Sequence, residues 1–89
     1  MEQRFTNFKQ FVQAHIPHNP VTYLLQTMSL DIFFALLTRM RAANGPMTPR
    51  EISRHVLTRL MINPTDFPPA ALSKFELYIE YFDAALNAV

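Results

Sequence analysis

Cysteine is absent from the 89-residue chain, which excludes disulfides, thiolate metal sites and cysteine nucleophiles together. Folding is therefore indifferent to the redox state of the compartment. Glycine occurs once, so neither a glycine-rich phosphate loop nor a glycine-flanked nucleophile elbow is available. Long apolar runs are also missing. The densest, Leu30 to Leu37, is interrupted by Asp31 and falls far short of the roughly 18 residues of a membrane span. The net charge of only +1 gives the whole molecule little attraction to nucleic acid or anionic lipid. Met1-Glu2-Gln3-Arg4 lacks the basic start and apolar stretch of a signal peptide, and the expectation is cytoplasmic residence.

Apolar residues make up 49% of the chain, eight of them phenylalanine, a composition that folds rather than one that stays disordered. The length suits one hydrophobic core and not two, so residues 1–89 are read as one domain. Period-two runs of β-branched residues bounded by turns do not occur, and strands are not expected.

Phe5, Phe8 and Val12 recur at helical spacing, flanked by Phe11, with Gln3, Asn7, Gln10 and Gln13 at the other positions. That pattern predicts an amphipathic helix over 2–15, closed by Pro17. Asn19-Pro20 matches an N-cap followed by proline in the first helical position. From there Val21, Leu24, Leu25 and Met28 run into Ile32, Phe33, Leu36, Leu37 and Met40, as one long helix or as two broken at Ser29. Asn44-Gly45-Pro46 stops the helix. Thr48-Pro49-Arg50-Glu51 combines an N-cap threonine, proline at N1 and glutamate at N3, the elements of a capping box. The helix it opens carries Ile52, Val56, Leu57 and Leu60 on its inner side and is expected to end near Asn63-Pro64. After the prolines at 64, 68 and 69, Leu72, Phe75, Ile79, Phe82, Leu86 and Val89 form a heptad-like seam, with Glu76, Glu80 and Asp83 on the outer face.

These elements predict an all-α domain of four to five helices, orthogonal or bundle-like. Its core is expected to hold Leu24, Leu25, Phe33, Leu36, Leu37, Ile52, Val56, Leu60, Phe75, Ile79 and Phe82.

Charge is segregated along the chain. Arg39, Arg41, Arg50, Arg54 and Arg59 stand against one acid, Glu51, whereas Asp66, Glu76, Glu80 and Asp83 later face only Lys74. Leu36-Leu37-Thr38-Arg39-Met40 followed by Gly45-Pro46-Met47-Thr48-Pro49-Arg50-Glu51-Ile52-Ser53 resembles the opening of a winged-helix or helix-turn-helix DNA-binding domain. The resemblance implies a tight turn soon after His55 and then a recognition helix in the major groove. The sequence departs from that pattern: the helix is expected to continue through Leu60, and the following helix displays Glu76, Glu80 and Asp83, the wrong sign for phosphate.

Candidate catalytic groups do not assemble. Ser53 lies two positions from His55, which on a helix sends the side chains to different faces, and Glu76 and Glu80 read as a solvated stripe. His15 and His18 flank Pro17 without a third ligand nearby. No enzymatic activity, metal, cofactor or small-molecule substrate is expected. The last helix, however, carries more apolar surface than one seam requires, in Leu77, Tyr78 and Tyr81. Tyrosine tolerates one wet end and is enriched at interfaces. The sequence therefore points to a small regulatory or adaptor protein that binds another protein, or a second copy of itself, through Leu77, Tyr78 and Tyr81. The alternative is a helix-turn-helix-like nucleic-acid binder using Arg39, Arg41, Arg50, Arg54 and Arg59, residues that could equally meet an acidic partner.

Overall fold

A computed structural model describes residues 1–17 and 20–88, with only the backbone at 20 and 21. Among the described residues five α-helices follow one another: α1 (Glu2–His15), α2 (Pro20–Thr27), α3 (Leu30–Asn44), α4 (Pro49–Arg59) and α5 (Pro69–Asn87), with a short 3-10 turn at Pro64–Asp66. Among the described residues there is no strand, and no helix is long and apolar enough to cross a membrane. The expected all-α architecture is thus observed. The Asn19 cap, the Val89 end of the apolar seam and His18 lie outside the described residues, as does the side chain of Val21.

Ser29 decides the open question over residues 20–43, because the chain breaks there into two helices. Its side-chain oxygen accepts a hydrogen bond from Ile32 N–H at 3.2 Å, satisfying one of the amides that a helix start leaves unpaired. Lys9 Nζ donates to the carbonyls of Gln26 and Met28, each at 3.4 Å, and Gln26 Nε2 donates back to Lys9 O at 2.9 Å. A cation is favoured at the carbonyl-rich end of a helix, so this exchange fixes the end of α2 against α1.

Helix α4 opens with the complete capping box. Thr48 Oγ1 accepts from Glu51 N–H at 3.2 Å, and Thr48 N–H donates to Glu51 Oε1 at 3.2 Å. The helix ends at Arg59, earlier than the expected Asn63-Pro64. Met61 takes a left-handed backbone conformation (φ 55°), which lets Met61 N–H bond Thr58 O at 3.0 Å and Ile62 N–H bond Leu57 O at 2.9 Å. Those two bonds are the Schellman pattern that terminates a helix, built here without the usual glycine.

The core is centred on rings. Phe5 and Phe8 of α1 lie 5.2 and 5.6 Å from Phe33 of α3 and 5.9 and 5.6 Å from Phe82 of α5, while Phe8 also meets Phe75 at 5.5 Å. Phe11, Val12, Leu30, Met40, Leu57, Ile62, Phe67 and Ala71 complete a continuous buried cluster with most of the expected core. Two expected members differ. Leu36 is only partly buried, because α3 turns Phe33, Leu37 and Met40 inward, and Leu24 is 58% exposed, because α2 turns the adjacent Leu25 inward instead. Adjacent helical positions differ by about 100° around the axis, so a small rotation of this short helix exchanges them.

Removal of the fully buried Phe8 ring by Phe8→Ala is expected to cost about 3–5 kcal/mol, against a total of roughly 0.05–0.15 kcal/mol per residue. Urea denaturation should show the variant's midpoint well below that of the parent chain. A second expectation concerns acid. The bonds from the Thr48 amide and hydroxyl hold the Glu51 carboxyl below its usual range. Because that value is depressed in the folded state, the stabilisation exists above the unfolded value and is lost as pH falls through the folded one. Glu51→Gln should flatten that part of the acid-side stability profile measured by thermal melts.

Candidate partner-binding groove

Helix α5 buries Ala71, Phe75, Ile79 and Phe82, which turns Lys74, Leu77 and Tyr81 outward at the three- and four-residue steps that share a helix face. Tyr78 sits at the border between these two faces. Its ring packs at 5.4 Å on Phe8, 5.6 Å on Phe11 and 6.5 Å on Phe82. Across from it, Arg4 and Asn7 occupy the flank of α1 beside the buried Phe5 and Phe8. These six residues line an open groove of about 380 Å³. The three residues singled out on the last helix therefore come together at one concavity.

The walls are held from behind. Arg4 places its guanidinium 3.8 Å from the centre of the Tyr81 ring, whose edge meets Phe82 at 5.7 Å. Lys74 Nζ lies 5.2 Å from the centre of Phe11. Both cations thus rest on aromatic faces, an attraction that strengthens as water is removed. Gln3 Nε2 donates to Asn7 Oδ1 at 3.0 Å, leaving the Asn7 amide nitrogen as that side chain's donor. Leu77 is 65% exposed. A lone exposed leucine would be ordinary; this one rims a cavity beside two tyrosines.

The five arginines do not form a single patch. Arg39 and Arg41 are two positions apart on α3, about 200° around its axis. Arg41 is engaged internally: its Nε donates to Asp83 Oδ1 at 2.7 Å and its Nη2 to Asp83 Oδ2. Asp83 is 6% exposed and is not on the outer face where the sequence placed it. Its hydrogen bonding raises the Arg41 pKa above the ordinary value. Arg50 and Arg54 share the exposed side of α4, and Arg50 Nε stands 3.9 Å from Glu76, a contact of little energetic weight at such exposure. Arg39 and Arg59 are exposed elsewhere. The turn after His55 that a helix-turn-helix would need is not formed, because α4 continues to Arg59 and residues 60–68 intervene before α5.

Ser53 is buried and donates to Pro49 O at 2.9 Å, whereas His55 is exposed. His15 Nδ1 lies 3.0 Å from Phe11 O, with its ring 5.6 Å from Phe67. Among the described residues, no group of three or more His, Cys, Asp or Glu is arranged to hold a metal ion. Arg4 and Asn7 are the groove residues that sequence reading missed. They come from the opposite end of the chain, and nothing in their local pattern connects them with Tyr81.

The Arg41–Asp83 pair yields an ordered prediction. Arg41→Ala leaves a nearly buried carboxylate without its guanidinium and should cost about 2–3 kcal/mol. Asp83→Ala should cost less, since the Arg41 side chain is 29% exposed and can turn to water. Urea midpoints of the two variants would check the order. Comparison of the chain with models of protein families, with curated proteins and with solved structures gives no match.

Proposed function

We propose that this chain is a small, non-enzymatic regulatory or adaptor module that docks another protein on the face formed by α1 and α5. The observation that carries the reading is Leu77, 65% exposed at the rim of a groove floored by Tyr78 and walled by Tyr81. Partner burial of such a site removes apolar surface from water at about 25 cal/mol per Å². Semi-rigid tyrosines supply contact area at small entropic cost, and aromatic and arginine side chains are the residue types that concentrate binding energy at protein interfaces. Tyr78 rests on the phenylalanine core, so the floor is rigid before a partner arrives. That preorganisation lowers the cost of association.

A second reading, contact with nucleic acid or another polyanion, draws on Arg50 and Arg54, which share the exposed side of α4. Its charge supply is reduced by the commitment of Arg41 to Asp83. Phosphate-driven binding weakens steeply with salt, so a duplex titration at about 50 and 200 mM salt distinguishes the two readings.

Leu77→Glu and Tyr81→Ala alter the groove without emptying the core. The expected outcome is at least a tenfold loss of partner association in affinity capture from source-cell extract, with an unchanged circular dichroism melt. Undiminished association in both folded variants would remove the groove from the function.

A further inference from the structure

The charged residues lining the groove are both cations. Arg4 and Lys74 line it with Asn7, Leu77, Tyr78 and Tyr81, and no carboxylate is among them. Among the described residues neither cation forms an ion pair; the two pairs present are Arg41–Asp83 and Arg50–Glu76. Each cation is nevertheless fixed in place, Arg4 over Tyr81 and Lys74 over Phe11. Long basic side chains lie along apolar surface in this way while keeping their charge accessible. A stacked guanidinium retains in-plane N–H groups, the geometry that grips a carboxylate through two hydrogen bonds.

The spacing adds a second constraint. Lys74 and Tyr81 are seven residues apart on α5, a rise of about 10 Å at 1.5 Å per residue, and Arg4 rests on Tyr81. The two cations therefore mark opposite ends of the groove, with Leu77 and Tyr78 between them. The cavity of about 380 Å³ is near the small end of the roughly 300–1,000 Å³ spanned by ligand clefts, suited to an anchoring side chain rather than to a whole buried helix.

Resting on the protein-docking reading above, we infer that the groove receives an acidic segment of the partner protein: a large apolar side chain seats over Tyr78 beside Leu77, and carboxylates on both sides of it meet Arg4 and Lys74. Charge complementarity selects this occupant. A basic segment would bring like charge to both ends of the groove, and a neutral one would leave both cations partly desolvated without partners.

The test is selection of random twelve-residue peptides displayed on phage against the immobilised full chain, with each binder rescreened on Leu77→Glu. Binders that depend on Leu77 should carry an apolar residue flanked by Asp or Glu. A synthetic peptide made from the dominant binder should lose at least tenfold in affinity on the Arg4→Glu/Lys74→Glu double variant, and lose affinity as salt rises from about 50 to 300 mM. Arg54→Glu, away from the groove, should leave its binding within twofold. Leu77-dependent binders with neutral or basic flanks, or binding indifferent to the double reversal, would overturn the acidic-segment inference while leaving the groove as a docking site. A selection yielding no Leu77-dependent binder would overturn both.

Discussion

The interlocked rings of Phe5, Phe8, Phe33, Phe75 and Phe82 are the contact on which the remaining structure depends. They join α1, α3 and α5 at one point, with the shared Phe8 meeting Phe33, Phe75, Tyr78 and Phe82 within 5.6 Å. Helix α1 has no side-chain cap at its start, and isolated helices of this length are marginal in water; its order therefore comes from burying this aromatic stripe. The same packing sets the groove. Once Phe75 and Phe82 face inward, the helical repeat turns Leu77 and Tyr81 outward, and Phe8 and Phe11 become the support beneath Tyr78.

Features encoded over a few adjacent residues were legible in the sequence. Thr48 to Glu51 specify the start of α4 because both halves of the capping box lie within one turn. Ser29 marked a break, though sequence alone left it open whether the chain continued through it. The end of α4 carried no such signal, since Met61 performs a role for which glycine is the usual marker. Leu24 and Leu25 show a different limit. Both satisfy the apolar spacing, and only the way α2 lies on α1 decides which is buried.

Long-range charge pairing was less legible still. Asp83 occupies a position that continues the apparent acidic stripe of Glu76 and Glu80, yet it faces Arg41, 42 residues earlier. The segregation of charge along the chain thus folds into cross-helix pairing, with the basic middle placed against the acidic end at Arg41–Asp83 and Arg50–Glu76. Leu77, Tyr78 and Tyr81 were recognisable as surplus apolar surface on one helix. The concavity was not, because its other wall, Arg4 and Asn7, lies more than 60 residues away in the chain.

The ring arrangement around Tyr78 and Tyr81 also has an optical consequence. The chain contains no tryptophan and three tyrosines, two of which line the groove while the third, Tyr23, is 71% exposed on α2. Ultraviolet emission from the folded protein therefore comes from phenol rings, and Tyr81 lies directly beneath a guanidinium. A partner seated as proposed, displacing Arg4 or excluding water from these rings, would alter that emission, so occupancy of the groove could be followed without an attached dye.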